Sequence, residues 1–524
     1  MHNIANHIRE LAGSCGERQA IIIRNGKNFQ GSPVFASMTY GELDRRSDYL
    51  AWGLSAAGMR PGMKAVFIAK PSLELYALYL AAMKLGAVPV LIPQVLGWSY
   101  TLTCVMQCAP AAFIGTPGTF CMKVFFGRAF STVDVNIMIG KFQLFGGLPS
   151  GKLKGKDEAY PIYDFGDLET EALLFTTGST GDAKGAILTN EMLEGQLGAL
   201  EELCPKQGNA PDLSFLVPHT LLGLCLGRTM LIENADANPQ DIVETVASQA
   251  PEYAFASPAT WTQLADFCKR HKCRLEGLKN AVLAGHPALT ALHTELALSA
   301  LDENADTIQT YGMAEALFVS AIKGLAMLEA KAESLPANPG RGICLGRPAK
   351  GIQCRIISAT DGSPLPADEA GEICLCGTGV ATDYLNRPDE SAMCKIEEDG
   401  RVWLRSGDIG FLDRDGLLWY LGRSAFVVET SGGILYPSGC EEIMNTFPGI
   451  RRSLLVGIGE KPAQIPVLII EPEPDSYEKM ADSRGEILKY LGKFPQTAGI
   501  RHLLFRHEIP DDVPQNTQWA AERI

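Results

Sequence analysis

The chain has 524 residues, 46% of them hydrophobic and 20% charged, with a formal net charge of −14. That length supports two or more domains with substantial cores, and the acidic balance excludes nucleic acid as the main partner while leaving room for a local cationic site. The 14 Cys contain no Cys-x-x-Cys pair, and Cys268, His271 and Cys273 do not match a zinc spacing, so they read as thiols of a reducing compartment.

The polar start, residues 1–10, reads as a helix and not a signal peptide. Thr39 is placed to cap a helix over 40–58, with Leu43, Leu50 and Leu54 at helical spacing. A short buried strand follows at 64–68, a helix capped by Ser72 ends near Gly86, and 88–92 is again a strand. The longest apolar region, 65–93, is broken by Lys70, Glu74, Lys84, Gly and Pro, which fails the test for a membrane span. A cytoplasmic protein is expected. Residues 115–147, with several Phe and Gly, read as core packing, with the wall of an apolar pocket as the alternative.

The β–α–β rhythm predicts a mostly parallel sheet. It resumes with helices at 239–250 and 258–271 and strands at 253–256, 280–283 and 307–310. From Gly340 the texture changes to short β runs at 354–358, 372–376, 402–404, 409–412 and 417–421, read as a small antiparallel unit. The last hundred residues predict a small α+β domain, with strands at 426–430, 450–457 and 467–471 and helices at 440–447 and 483–491. The boundary is placed at Gly422-Arg423, dividing the chain into 1–422 and 423–524. The expected fold is therefore α/β: a large N-terminal domain of parallel and mixed sheets with helices and a small β unit, and a small mobile C-terminal domain.

Residues 173–185 end an apolar run in Thr-Thr-Gly-Ser-Thr-Gly-Asp-Ala-Lys-Gly. Such a loop suits polyphosphate, because Gly lets the backbone approach closely, N–H groups and hydroxyls donate, and Lys adds charge. It is not the common P-loop, since Ala183 falls where the second Gly belongs and Gly185 follows Lys184 in place of Ser/Thr.

This loop, then Tyr311-Gly312-Met313-Ala314-Glu315, Ser406-Gly407-Asp408 and Gly422-Arg423, occur in that order. The set resembles the adenylate-forming superfamily of acyl-CoA synthetases, peptide-synthetase adenylation domains and luciferases. Three stretches resemble one branch, the β-lactone synthetases of bacterial olefin biosynthesis. They are Thr382-Asp383-Tyr384-Leu385-Asn386-Arg387; Val428-Glu429-Thr430 with Leu435-Tyr436; and Asp512-Val513-Pro514-Gln515-Asn516.

The resemblance implies ATP and Mg²⁺ as cofactors and a fatty or hydroxy acid as substrate. It places Thr176, Thr177, Gly178, Ser179, Thr180, Gly181 and Lys184 around the departing phosphates, and makes Glu315 the Mg²⁺ ligand. It sets Tyr311, Gly312, Gly285, His286 and Pro287 against adenine. Asp408 would accept both ribose hydroxyls, as two acceptor oxygens suit a vicinal diol, with Tyr420 and Arg423 beside it. His219 is placed near the acyl pocket, with ordinary packing as the alternative.

Three departures stand out. Ala183 replaces the family's Pro, Ala314 its Thr, and Gln518 stands where the family has its C-terminal catalytic Lys. Gln donates a hydrogen bond without charge, so the adenylation step is in question. The reading is an ATP-dependent ligase that activates a 2-alkyl-3-hydroxy fatty acid as acyl-AMP and closes it to a β-lactone. Two alternatives remain open: a fatty acyl-CoA ligase, and a catalytically weakened nucleotide-binding member of a multienzyme assembly. Assembly with other hydrocarbon-pathway enzymes is implied only by analogy.

Overall fold

Thr39 starts the first long helix, Tyr40–Ala56, through a reciprocal cap: its side chain accepts from the Glu42 N–H while the Glu42 carboxylate accepts from the Thr39 N–H, an arrangement worth about 1 kcal/mol. The computed structural model of the protein describes residues 2–93, 97–141, 145–176, 183–234, 236–334, 340–473 and 476–509. In it Leu43, Leu50 and Leu54 are fully buried on the helix face the sequence spacing predicts. The next helix, Leu73–Leu85, is capped by Ser72 and ends at Gly86 in the left-handed conformation.

Lys84, which interrupts the apolar region of the sequence, is fully buried and ties these two helices together. Its Nζ lies 2.5 Å from Asp44 Oδ1 and 2.7 Å from Asp48 Oδ1. Arg9 of the N-terminal helix Ala5–Cys15 joins the same pair of carboxylates. Buried charges of this kind persist only when mutually paired. The N-terminal segment is also held by Glu171, a buried carboxyl that accepts from the Ile4 N–H at 2.8 Å and Asn190 Nδ2 at 2.9 Å. Burial pushes Glu171 up to about 7 against these two donors.

Two sheets form the large N-terminal domain. The first runs in the order Leu148–Pro149, Val135–Met138, Ala112–Gly115, Lys64–Ile68, Val88–Leu91, Thr170–Thr176 and Lys184–Thr189. Its neighbours are parallel except the last pair, a hairpin in which Thr176 faces Lys184. The second sheet has fourteen strands among the described residues. Its central run, Asp306–Met313, Asn280–Leu283, Tyr253–Ala256, Asp212–Ser214, Met230–Ile232 and Gln19–Lys27, is parallel.

The antiparallel runs after Gly340 form no isolated sheet. They join the second sheet through the pairing of Ala316–Lys323 with Ile343–Pro348. Two strands expected at 402–404 and 409–412 are one long strand, Arg401–Leu412. Ser406 and Gly407 lie inside it, with Gly407 at φ +72°, so the Gly bends the strand without ending it.

Residues 115–147 contribute the helix Pro117–Phe125, the 3₁₀ turn Gly127–Phe130 and the strand Val135–Met138. Phe120 and Phe130 pack at an angle on Phe113 in the core of the first sheet, which matches the packing reading for these two, whereas Phe125, Phe126 and Phe145 are exposed. The small C-terminal domain carries the sheet Ile450–Ile458, Ile465–Pro472 and His502–Phe505. Helices Pro437–Asn445 and Arg484–Leu491 cover its core. The strand expected at 426–430 is shorter: Ser424–Phe426 is a 3₁₀ turn and only Val428–Thr430 is extended. Among the described residues no helix is long and apolar enough to cross a membrane.

Candidate active site

The hairpin of Asp306–Met313 and Ala316–Lys323 builds the centre of the site. The strand expected at 307–310 is longer: Tyr311 and Gly312 lie within it, and the reversal falls at Ala314-Glu315. Gly312 is required there, because a Cβ would meet the Leu317 carbonyl oxygen at 2.0 Å. The turn leaves Glu315 only 8% exposed. A carboxylate at that depth needs a partner, and the Tyr384 hydroxyl donates to Glu315 Oε1. Burial, then the charge of Glu315, raises the Tyr384 phenol well above its usual value.

Backbone pairing delivers Tyr384. The Ile187 N–H donates to the Asp383 carbonyl at 2.9 Å and the Leu385 N–H to the Gly185 carbonyl at 2.8 Å. The segment 383–385 thus runs beside the strand Lys184–Thr189, and Lys184 Nζ stands 5.4 Å from the centre of the Tyr384 ring. Lys184, Tyr384 and Glu315 form one cluster at the mouth of the Thr176–Lys184 hairpin.

A second cluster lies deeper. The buried Tyr311 hydroxyl donates to Asp408 Oδ2 at 2.7 Å. Arg423 stands opposite Asp408 in the pairing of Arg401–Leu412 with Leu418–Arg423. Its Nε is 3.1 Å from Asp408 Oδ1, off the hydrogen-bonding direction, so Oδ1 is buried without a directed donor. Arg423 Nη1 donates to the Ser406 carbonyl at 3.1 Å, and the Ser406 hydroxyl accepts from the Asp408 N–H at 3.1 Å. Burial raises the Asp408 carboxyl, while Arg423 and the Tyr311 hydroxyl pull it back down. Arg423 is held more firmly protonated, chiefly by Asp408. The charge of Glu315 acts on Asp408 and Arg423 alike, so the two clusters share one electrostatic field.

The remaining predicted residues distribute around these clusters. Tyr420, three residues before Arg423, has its phenol raised by burial and then by Asp408. Gly285, at φ +102°, follows the strand Asn280–Leu283 and leads into His286 and Pro287. Burial lowers His286 to about 4 although part of the residue remains exposed. His219 is packed on Phe255, ring centres 3.5 Å apart, with its edge towards Phe318. Its Nδ1 meets Ser214 Oγ at 2.9 Å and its Nε2 is buried without a partner. Burial holds the imidazole neutral, well below its usual pKa. Thr177, Gly178, Ser179, Thr180, Gly181 and Gln518 lie outside the described residues.

Sequence reasoning gave Tyr384 and Ser406 no role at the site. Both stand in stretches quoted for the family resemblance, but what each touches depends on strand pairing between segments far apart in the chain.

The pattern of the family described as "AMP-binding enzyme" matches residues 16–385. The chain belongs to that family. As an AMP-binding enzyme it is an adenylate-forming ligase that uses ATP on an acid substrate, and the family read from the four motifs stands. An olefin beta-lactone synthetase of Xanthomonas campestris pv. campestris is 30% identical, over 100% of this chain and 96% of that protein. A feruloyl-CoA synthase of Amycolatopsis sp is 26% identical, over 80% of this chain and 81% of its own. Among solved structures, the amide bond synthetase McbA of Marinactinospora thermotolerans shares the fold with a TM-score of 0.79, 19% identity, and coverage of 98% of this chain and 99% of that one.

Proposed function

We propose that this AMP-binding enzyme activates a 2-alkyl-3-hydroxy fatty acid with ATP and closes the acyl-adenylate to a β-lactone. In the first step the carboxylate oxygen forms a bond to the α-phosphorus and the bond to pyrophosphate breaks. In the second, the substrate's own 3-hydroxyl attacks the acyl carbon, loses its proton, and AMP leaves. The attacking group is already attached, so its effective concentration is high.

The observation that carries the nucleotide part is Asp408. A buried carboxylate oxygen without a directed donor, beside Tyr311 and Arg423, is completed by a ribose hydroxyl. Tyr311, Gly312, Tyr420 and the segment Gly285-His286-Pro287 would line the base and sugar. Thr176 and Lys184, with Thr177, Gly178, Ser179, Thr180 and Gly181 between them, would hold the departing phosphates. His219 would face the acid: its orphaned Nε2 accepts from or donates to a hydroxyl in either tautomer, and the substrate carries one.

Glu315 fits Mg²⁺. It is a hard carboxylate beside the phosphate hairpin, and a single carboxylate with substrate phosphates is the usual setting for that ion. The ion would supply charge neutralisation at the phosphates. Tyr384 would orient the carboxylate that holds it. The C-terminal domain, which we place at 423–524 and take to be mobile, would bring Gln518 to the reacting groups.

The lactone outcome is supported by the full-length similarity to an olefin beta-lactone synthetase. Purified protein with ATP, Mg²⁺ and a 2-alkyl-3-hydroxy acid is expected to give AMP, pyrophosphate and β-lactone in the absence of thiol. Acid consumption that strictly requires coenzyme A would establish the acyl-CoA ligase reading, which the similarity to a feruloyl-CoA synthase favours. Nucleotide binding with no pyrophosphate release across a panel of hydroxy acids would establish the weakened-member reading, which Gln518 favours.

A further inference from the structure

The helix Pro117–Phe125 and the 3₁₀ turn Gly127–Phe130 meet at a corner that faces outward. Phe120 and Phe130 anchor it in the core at 0% and 4% exposure, while Val124, Phe125 and Phe126 between them are 60%, 76% and 41% exposed. An aromatic ring three-quarters exposed projects from the surface, and contiguous apolar exposure of this kind marks an interaction site. Phe145, 55% exposed, is close by, since the Cβ position of Gly147 lies 2.8 Å from the Phe120 ring.

The stretch of chain that carries this corner is opposite in charge to the whole. The protein carries 60 Asp and Glu and a net charge of −14, yet between Glu74 and Asp157 the one acidic residue is Asp134. Over the same stretch Arg128 and Lys141 are exposed, and among the described residues neither has an acidic partner. Lys123 is partly buried, held by Asn136 and the Phe113 ring. Projecting apolar tips beside an exposed arginine match the boundary between anionic headgroups and acyl chains.

We propose that the corner Val124–Arg128 docks this protein on a lipid surface carrying anionic headgroups. The apolar tips insert at the headgroup level and Arg128 pairs with the headgroup charge. This inference is independent of the substrate assigned above, because it rests on the outer side of the first sheet.

The test is co-sedimentation of the full-length protein with vesicles of phosphatidylcholine alone and of phosphatidylcholine mixed equally with phosphatidylglycerol, at low and high salt. The wild type is expected to partition onto the anionic vesicles, more weakly at high salt. One basic residue near such a surface is worth roughly fivefold in partitioning, so Arg128→Glu is expected to reduce it about tenfold or more. The double variant Phe125→Ser/Phe126→Ser is expected to do the same, with both variants keeping the wild-type melting temperature. Equal partitioning onto neutral and anionic vesicles, or variants that bind like the wild type, overturns the proposal. Self-association that the variants abolish, without vesicle binding, also overturns it and assigns the corner to a second copy of the chain.

Discussion

Tyr311 donates its hydroxyl to Asp408 Oδ2 at 2.7 Å, joining two residues 97 positions apart in the chain. The bond lies in a buried setting, where hydrogen bonds to a charged group contribute about 1.5–3 kcal/mol. Tyr311→Phe removes that donor and leaves the Asp408 carboxyl more weakly ionised. The KM for ATP is expected to rise about tenfold or more, with the fold retained by circular dichroism. An unchanged KM would remove Asp408 from the nucleotide site.

Tyr384→Phe tests the other cluster. The hydroxyl occupies Glu315 Oε1, and groups that orient a metal-binding carboxylate typically affect metal affinity by about 10–100-fold. The Mg²⁺ concentration giving half-maximal pyrophosphate release is expected to rise by about tenfold, while the KM for ATP at saturating Mg²⁺ changes little. Equal Mg²⁺ dependence in wild type and variant would mean that Tyr384 only packs.

Gln518→Lys supplies the charge that the family resemblance leads one to expect at this position. A single donor aimed at developing charge is worth about 10²–10³-fold in rate. A gain of about 10²-fold in pyrophosphate exchange is expected. No gain would show that a charge at this position does not limit adenylation.

Glu171 gives a prediction about stability. Its carboxyl rises from 4.5 in the unfolded chain to about 7 when buried, so folding takes up a proton between those values. The contribution is fully present below about pH 4.5, falls as pH rises, and is lost above about pH 7, with up to about 3 kcal/mol at stake. Glu171→Gln keeps the acceptor for the Ile4 N–H without the ionisation. The fall in melting temperature between pH 5.5 and 8 is expected to be smaller in the variant, with Glu441, also raised by burial to about 7, supplying part of what remains. A pH profile identical to the wild type would show that Glu171 is ionised in the folded protein.

Local signals made much of the architecture legible. Thr39 with Glu42 and Ser72 with Gly86 are complete start and stop signals, and the helices they bound appear where the sequence puts them. Ser406-Gly407 misled, because a Gly punctuates a loop as readily as it bends a strand, and only pairing with Gly371–Gly377 and Leu418–Arg423 shows which. At the candidate site, Glu315, Asp408 and Arg423 were legible as motif residues. Their partners were not: Tyr384 reaches Glu315 only because segment 383–385 lies along the Lys184–Thr189 strand, a contact across the fold that no periodicity encodes.

Arg423 stands at the end of the strand Leu418–Arg423, where the chain leaves the large sheet for the C-terminal sheet, and its charge rests against Asp408. In the function proposed above, a sugar hydroxyl at Asp408 would meet Oδ1, the oxygen that faces Arg423. Occupancy at that carboxylate and the direction taken by the chain after Gly422 would then be coupled, each biasing the other by the same free energy. Nucleotide affinity would in that case report how the two ends of the protein are arranged.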